Sequence, residues 1–338
     1  MKPEDLLHPT PAGLYCPPGD FHIDPVRPVD KAVITHGHAD HARAGHGAVL
    51  ATPETLAIMA ARYGQNFTPV RQAVALGETL KIGDTDVRLA PAGHVLGSAQ
   101  VVVEKKGLRM VCTGDFKRRR DPTCLPFEVV PCDVFISEAT FALPVFYHPD
   151  TEGEVAKLLQ SLDRFPARAH LVGAYALGKA QRIICHLREA GYDRPIYVHG
   201  AMQALCALYE EWGVSLGPLR PATIKNEEGR KQDFAGEIVI CPPSAVQTSW
   251  ARRFADPVVA FASGWMRVRQ RAKQRGVELP LIISDHADWE ELTQTVKDVD
   301  PAELWVTHGR EDAFCRWAEL EGRVARPLRL VGYEDENE

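Results

Sequence analysis

The amino-acid sequence predicts an α/β protein built in two differently patterned segments. Short apolar runs separated by turns occupy roughly the first 140 residues, whereas helical periodicity alternates with strands beyond about residue 150. A strand followed by a helix, repeated several times, is the pattern of a parallel sheet covered by helices. The chain of 338 residues is long enough for two compact domains.

The first segment combines a buried strand, a helix and a meander. Lys31–Thr35 is apolar enough for a buried strand, and Pro53–Tyr63 has helical periodicity. Lys106-Gly107 is typical of a hairpin turn between the last two strands of the meander. The predicted meander strands are Thr79–Ile82, Asp86–Ala90, Ala99–Glu104 and Leu108–Thr113, and a further strand is Asp133–Ser137.

Strands and helices alternate through the rest of the chain. The predicted helices are Thr151–Arg164, Gly178–Ala190, Ala201–Trp212, Trp289–Val299 and Asp312–Glu321. The predicted strands are His170–Gly173, Pro195–His199, Glu237–Cys241, Leu279–Ser284 and Leu304–Thr307. Gly217–Gly236 is predicted to be an exposed, charged loop, and the polar tail Glu334–Glu338 is predicted to fray.

Composition excludes several classes of protein. Hydrophobic residues make up 45% and charged residues 25%, which is ordinary for a soluble globular protein. The formal net charge of -6 excludes a uniformly basic nucleic-acid coat. The eight cysteines are scattered and form no C-x-x-C pair, which argues against a zinc knuckle or a disulfide scaffold. With no secretion signal and no long apolar run, we expect a reduced, cytoplasmic protein that does not cross a membrane.

A dense cluster of potential metal ligands follows the first predicted strand. Three histidines and one aspartate fall within six residues, which chance rarely produces in a chain with 13 histidines. Imidazole and carboxylate are ligands that borderline divalent metals prefer. One loop could thus supply ligands to two metals, and its sequence is Thr35-His36-Gly37-His38-Ala39-Asp40-His41.

The pattern H-x-H-x-D-H resembles the signature of the metallo-β-lactamase superfamily. That resemblance implies a later histidine in a Gly-His turn and an aspartate after a strand. His94 lies in Pro-Ala-Gly-His-Val-Leu-Gly-Ser, and Asp115 lies in Cys-Thr-Gly-Asp-Phe at the end of a predicted strand. Both expected ligands are therefore present, in the expected order.

Later motifs resemble the β-CASP nuclease branch of this superfamily. They are the acidic motif with Glu138, the turn Ala174–Arg182, and motifs carrying His286 and His308. The resemblance implies an αββα metallo-β-lactamase fold with an inserted α/β β-CASP cap domain. It places the first domain at 1–145 and 279–338, and the cap at 146–278.

The resemblance also assigns roles to individual residues. His36, His38 and His94 would hold one metal, and Asp40, His41 and His308 a second, with Asp115 bridging both. The implied catalytic residues are Asp40, His286 as acid or phosphate contact, and Glu138, which would orient His286. Two such metals would activate water and stabilise charge on a phosphate. Zinc is the default for these ligands, and manganese suits the same set.

The whole chain is most similar to bacterial ligase-associated DNA exonucleases, which implies DNA repair and association with an ATP-dependent DNA ligase and a helicase. His308 favours the RNA-processing members instead, so DNA is the main expectation and an RNA-processing nuclease the alternative. Two rival hypotheses are a small-molecule hydrolase of the glyoxalase or lactamase type and a catalytically silent scaffold. The cap-like segment argues against the first, and the complete ligand set argues against the second.

Basic side chains near these motifs are candidates for nucleic-acid contacts. Lys117 and Arg118 directly follow Asp115 and could neutralise phosphates. Lys179 and Arg182 lie near a predicted helix N-terminus, where a phosphate is favoured. Arg267 and Arg269 begin a second basic run. Solvated faces and structural ion pairs are equally good explanations of such runs.

Overall fold

The computed structural model describes residues 1–224, 229 and 232–330, and the chain divides into two compact units. The first unit comprises Met1–Tyr147 and His286–Glu338, and the second comprises His148–Asp285. The predicted domains had the chain return to the first unit after residue 278, whereas the structure returns after Asp285. The reason is that strand Leu279–Leu281 pairs in parallel with Val258–Ala262 of the second unit.

The first unit contains two sheets. The first sheet has the strand order β1-β2-β3-β4-β5-β6, and the second has the order β19-β18-β11-β10-β9-β8-β7. The strands of the first sheet are β1 His8–Thr10, β2 Gly13–Cys16, β3 Phe21–Ile23, β4 Lys31–Val33, β5 Ala48–Ala51 and β6 Val70–Ala73. Those of the second sheet are β7 Thr79–Ile82, β8 Thr85–Pro91, β9 Ala99–Lys105, β10 Leu108–Cys112, β11 Val134–Ala139, β18 Glu303–Gly309 and β19 Val324–Pro327.

Helices cover the outer faces of these sheets. They are α2 Pro53–Tyr63, α7 Trp289–Val299 and α8 Glu311–Leu320, whereas Leu6 of the short helix α1, Pro3–Leu6, lies in the core shared by the two sheets. Leu56 and Met59 of α2 pack on Ala32 and Val49 of the first sheet. Val296 of α7 and Phe314 of α8 belong to a separate core on the second sheet. The layers are therefore helix, sheet, sheet, helix.

Side-chain alternation along the strands produces this layering. Val101 and Val103 belong to the core that also holds Leu14 and Val33 of the first sheet, whereas Val102 belongs to the core beneath α7 and α8. Successive strand residues point to opposite faces, so one strand serves both cores. The hairpin turn Lys106-Gly107 has positive φ at both residues, 51° and 81°, as the predicted turn requires.

The direction of the strands collects the functional loops at one edge. Strands β10, β11 and β18 are parallel neighbours, and β8 runs in the same sense because β9 is antiparallel to both β8 and β10. Asp115, Glu138, His308 and His94 each lie at or just beyond the carboxyl end of one of these strands. The carboxyl ends of strands with the same direction meet at one edge of a sheet.

The second unit is an α/β sheet of parallel strands in the order β14-β13-β15-β12-β16-β17. Its strands are β12 His170–Gly173, β13 Ile196–Val198, β14 Leu219–Pro221, β15 Ile238–Cys241, β16 Val258–Ala262 and β17 Leu279–Leu281. Its α-helices are α3 Thr151–Arg164, α4 Lys179–Glu189, α5 Gly200–Glu211 and α6 Arg269–Gln274, with three-ten turns at Pro243–Gln247, Ser249–Arg253 and Gly264–Arg267.

Two local predictions need correction, and one falls outside the described residues. The loop predicted at Gly217–Gly236 contains β14, whose pairing with β13 overrides the turn-like composition of that stretch. The strand predicted to continue to Ser284 ends at Leu281. The tail Glu334–Glu338 lies outside the described residues. All eight cysteines are free.

Candidate metal centre

The ligand-rich loop begins directly after β4 and is fixed on several sides. Its backbone is fastened where Arg62 Nη1 donates to the Gly37 carbonyl at 2.7 Å. A β-carbon added to Gly37 would lie 2.5 Å from Ile58 Cγ2, so α2 packs against the loop at a position without a side chain. His36, His38 and His41 are buried, and Asp40 is partly buried.

The first cluster of ligand atoms comprises His36, His38, His94 and Asp115, all of them buried. Both His36 Nε2 and His94 Nε2 lie close to His38 Nδ1, at 3.2 and 3.0 Å. Asp115 Oδ2 is 3.4 Å from His36 Nε2 and 3.7 Å from His94 Nε2. Three ring nitrogens and a carboxylate oxygen therefore converge on one point.

The second cluster comprises Asp40, His41 and His308. His41 Nε2 lies 3.5 Å from Asp40 Oδ2, and the rings of His41 and His308 stack with centroids 4.9 Å apart. His41 Nε2 is also 3.4 Å from Asp115 Oδ2. The same oxygen thus adjoins both clusters, which is the position of a bridging ligand.

Asp24, at the end of β3, was not found from the sequence. Its Oδ2 lies 2.8 Å from His41 Nδ1, and its two oxygens accept from Thr35 N at 2.7 Å and Thr35 Oγ1 at 2.6 Å. It therefore fixes His41 so that Nε2 faces Asp40 and Asp115. A carboxylate after a strand was the available signal, but nothing in the sequence linked it to a histidine 17 residues later.

Burial controls the protonation of most of these imidazoles. Burial lowers the pKa of His36 and of His308 to about 4, and burial together with His36 holds the pKa of His94 well below its ordinary value. Burial also acts to lower the pKa of His41, but the carboxylates of Asp115 and Asp40 raise it well above the usual range. Neutral imidazoles have a lone pair for a metal, and the two carboxylates favour positive charge beside them.

A divalent metal pair fits this donor set. Among the described residues, Asp40 Oδ1 and Asp115 Oδ1 are buried oxygens without a hydrogen-bond partner. Unsatisfied buried carboxylate oxygens are costly unless a cation or a donor compensates them. Imidazole nitrogens and carboxylate oxygens without thiolate suit zinc and manganese alike, so the donors define a divalent metal centre without naming the metal.

Beside the metal ligands lies a histidine-carboxylate pair. Glu138 is fully buried, and its Oε2 is 3.0 Å from His286 Nδ1 while its Oε1 accepts from Phe116 N at 2.7 Å. Burial raises the pKa of Glu138, although His286 acts in the opposite direction. The His286 ring is 4.8 Å from the His94 ring, and its side chain is 17% exposed. Since Nδ1 faces Glu138, Nε2 lies on the opposite side of the His286 ring.

Four of the six predicted nucleic-acid contacts are in ion pairs or buried. Lys117 is 4% exposed and pairs with Glu291, and Arg118 pairs with Asp298. Lys179 and Arg182 are 1% exposed; Lys179 Nζ lies 3.3 Å from Asp285 Oδ1, and Arg182 Nη1 donates to the Ser284 carbonyl at 2.6 Å.

Lys117, Lys179 and Arg182 are buried and their charges contact groups within the protein, so the structure gives no support to a role for them as exposed nucleic-acid contacts. Arg118 is only partly buried, but its charge is already compensated. Arg267 and Arg269 are exposed, as a polyanion contact requires.

A comparison with family models and known proteins agrees with this geometry. The model described as the metallo-beta-lactamase superfamily matches residues 23–167. A crystal structure of a protein of unknown function from Enterococcus faecalis V583 superposes with a TM-score of 0.55 at 14% identity, covering 82% of this chain and 75% of that one. At this identity the likeness concerns the fold alone.

Three curated relatives are similar over much of the chain. A probable DNA ligase of Opitutus terrae is 29% identical over 90% of this chain and 29% of its own length. Cleavage and polyadenylation specificity factor 73 of Drosophila melanogaster is 24% identical over 67% of this chain and 40% of its length. Endoribonuclease ysh-1 of Neurospora crassa is 28% identical over 60% of this chain and 28% of its length. The chain thus spans less than half the length of each.

The fold and its seven-ligand centre define a metallohydrolase-type domain with two adjacent metal positions. Residues 23–167 match the metallo-β-lactamase superfamily model, so this part of the chain is a metallo-β-lactamase domain. The named relatives support the predicted cap domain, and the second unit is an α/β segment inserted within the first. Among the described residues, every helix is too short or too polar to span a bilayer.

Proposed function

We propose that this protein is a two-metal phosphodiesterase that hydrolyses nucleic acid, with DNA as its main substrate and exonucleolytic attack as its mode. The proposal depends on two clusters of metal-ligand residues that share Asp115 Oδ2 and have the Glu138–His286 pair beside them. Phosphodiester hydrolysis needs both an activated water and a proton for the leaving oxygen. This centre has groups suited to each task.

The chain's own residues divide the work as follows. His36, His38 and His94 would hold one metal, Asp40, His41 and His308 the other, and Asp115 both. Bound there, the metals would lower the pKa of a coordinated water and withdraw charge from the phosphate. Glu138 holds His286 Nδ1, so His286 Nε2 can donate a proton to the oxygen that leaves as its bond to phosphorus breaks.

Zinc and manganese remain the candidate metals, zinc being the default for histidine and carboxylate ligands. The probable DNA ligase is 29% identical over 90% of this chain, whereas cleavage and polyadenylation specificity factor subunit 3-I of Arabidopsis thaliana is 22% identical over 92% of it. The higher identity at similar coverage supports DNA as the main substrate, and the proposal extends to DNA repair and to association with an ATP-dependent DNA ligase and a helicase in the cytoplasm. An RNA-processing nuclease is the second candidate, because His308 occupies the second cluster.

The exposed basic run of the second unit is the proposed surface for the nucleic-acid backbone. Arg267, Arg269 and Lys273 are exposed, and among the described residues none of them has a carboxylate partner within ion-pair distance. Arg118, in contrast, is compensated by Asp298. Uncompensated cations bind phosphates more strongly, since no internal pair has to be broken.

The substrate class is tested with end-labelled DNA and RNA strands of identical sequence, incubated with protein loaded with zinc or manganese. Stepwise shortening of DNA, slower on RNA and absent after chelation of the metals, is the expected result. Faster cutting of RNA would replace the proposed substrate with the second candidate. Hydrolysis of a lactam or thioester without cutting of either strand would overturn the nuclease proposal altogether.

A further inference from the structure

The buried carboxylate of Glu291, on α7, accepts hydrogen bonds from the segment that follows Asp115. Its Oε1 accepts from Arg118 N at 3.0 Å and from Arg119 N at 2.7 Å. Its Oε2 lies 3.3 Å from Lys117 Nζ. Three consecutive residues, beginning two positions after a metal ligand, therefore converge on a single side chain that is 6% exposed.

The same network reaches the segment that carries His286. Lys117 Nζ donates to the His286 carbonyl at 3.2 Å, and Ala287 N donates to the Phe116 carbonyl at 2.7 Å. The backbone of His286 is thus tied to residues 116 and 117, while its ring is tied to Glu138. These restraints act on different parts of the histidine.

Capping the N-terminus of α7 does not require the contacts of Glu291 with residues 117–119. Glu291 and Asp288 form a capping box, in which Glu291 N donates to Asp288 Oδ1 at 3.0 Å and Asp288 N donates to Glu291 Oε2 at 3.2 Å. A capping box needs only the backbone N–H groups of these two residues. Glu291 accepts in addition from Lys117, Arg118 and Arg119, so it serves more than the end of the helix.

We propose that Glu291 is a positioning residue for hydrolysis. By holding Lys117, which contacts the His286 carbonyl, Glu291 sets the distance between His286 and the metal ligand Asp115. This inference rests on the proposed function, in which His286 donates a proton to the leaving oxygen. General acids act only within hydrogen-bond reach of their target, and a shift of about 1 Å can cost about 100-fold in rate. A network that fixes the His286 backbone therefore controls the proton transfer.

The test compares Glu291→Gln with Glu290→Gln, which makes the same chemical change one residue earlier, at a side chain that is 64% exposed. Each variant is assayed on a DNA strand and on a nitrophenyl phosphodiester of thymidine, whose phenolate leaves without needing a proton. We expect Glu291→Gln to lower kcat on DNA by about 10- to 100-fold. KM, the metal content and kcat on the nitrophenyl ester should stay near those of Glu290→Gln.

His286→Ala calibrates the assay and separates the two proposals. If His286→Ala slows both substrates equally, or neither, its role as the acid is wrong and the proposed function fails at that step. If His286→Ala is selective for DNA but Glu291→Gln slows both substrates alike, or leaves both unchanged, Glu291 is merely structural and this inference is overturned.

A second variant covers the case in which Glu291→Gln does not fold. Lys117→Gln removes the cation that contacts both Glu291 and the His286 carbonyl, and leaves the carboxylate in the capping box. A selective loss of kcat on DNA in this variant supports the inference. Equal slowing of both substrates, or no slowing, contradicts it.

Discussion

At the scale of single residues, the important histidines are fixed through the nitrogen that does not face the centre. Thr35 Oγ1 lies 3.0 Å from His36 Nδ1, Asp24 Oδ2 2.8 Å from His41 Nδ1, and Glu138 Oε2 3.0 Å from His286 Nδ1. A hydrogen bond on one ring nitrogen sets the tautomer and orientation at the other. Each Nε2 is therefore presented to the centre.

Asp24→Asn tests this arrangement at His41. The amide can still accept one hydrogen bond, but it no longer presents two charged oxygens to His41 and Thr35. We expect the affinity for the second metal to fall by about 10- to 100-fold while the first is retained. Metal titration with a competing chelator, followed by counting the bound metals, measures this.

Asp20→Asn is the matched control. Asp20 lies four positions before Asp24 in the sequence and makes an exposed ion pair with Lys31. That variant should bind both metals like the unmodified protein. Equal metal affinities for the Asp24 and Asp20 variants would show that Asp24 does not support the centre.

At the scale of elements, the end of β18 adopts an unusual backbone to present His308. His308 has φ of 59° and Gly309 of 76°, so two successive residues lie in the left-handed region. A β-carbon on Gly309 would lie 2.4 Å from the Ala139 carbonyl oxygen of β11. Strand pairing and ligand position are thus coupled at this point.

Gly309→Ala should therefore both destabilise the protein and lower its affinity for the second metal. Gly322→Ala is the control, because Gly322 also has positive φ, 78°, but open space around it. We expect the control to cost about 1–2 kcal/mol, and Gly309→Ala to cost about 1–3 kcal/mol more. Chemical unfolding of the metal-free proteins measures both. Equal losses would mean that the close approach to β11 is easily relaxed.

Helix α7 should stabilise the fold in a pH-dependent way through Glu291. Burial acts to raise the pKa of Glu291, but Lys117, Arg119 and backbone donors lower it to about 2, from an ordinary value of 4.5. A depressed folded-state pKa means that the contribution is present in full above about pH 4.5 and is lost as pH falls toward 2. The contribution is on the order of 3 kcal/mol.

Unfolding free energies of the unmodified protein and of Glu291→Gln, measured between pH 7 and pH 3, test this. The advantage of the unmodified protein over the variant should shrink as the pH falls. A difference that stays constant over that range would mean that the ionised carboxylate contributes no net stability.

Elements with a strong local signal were predicted well from the sequence. Pro53–Tyr63, Thr151–Arg164 and Trp289–Val299 were predicted with the bounds that the structure shows, since periodicity and caps mark them locally. The missed strands are β1, β2, β3, β5, β6, β14, β16 and β19. They have three to five residues each, and they owe their conformation to pairing with neighbouring strands.

At the scale of the whole molecule, the negative net charge of the protein opposes the binding of a polyanionic substrate. The chain carries a net charge of -6, so a polyanion must bind where positive charge is locally uncompensated. The described part of the chain offers such charge in the exposed side chains of Arg267, Arg269 and Lys273. Affinity for DNA should depend on this run rather than on the paired Arg118.

We therefore predict that Arg267→Ala combined with Arg269→Ala weakens DNA binding at every sequence. The slope of log affinity against log salt should become shallower by about one to two units, because fewer counterions are released. Binding is measured on strands that cannot be hydrolysed. Arg118→Ala is the comparison and should change the slope less, and a larger effect of Arg118 would reverse this assignment.

The metal ligands could be predicted from the sequence because four of the seven lie in one loop, from His36 to His41. The remainder depended on three-dimensional contacts. Lys117 looked like a phosphate contact until Glu291, 174 residues later, proved to be its partner. Charge alone does not distinguish a buried ion pair from a solvated face, whereas the fold does.

The most direct test of the central claim is hydrolysis of end-labelled DNA by metal-loaded protein, compared with the Asp115→Ala variant under the same conditions. Asp115 Oδ2 lies 3.4 Å from ligand nitrogens of both clusters, so its loss should disable both metal positions at once. The account predicts that the variant keeps its fold, by circular dichroism, and loses nearly all hydrolysis. Substantial cutting by the folded, metal-replete variant would contradict a two-metal mechanism at this centre.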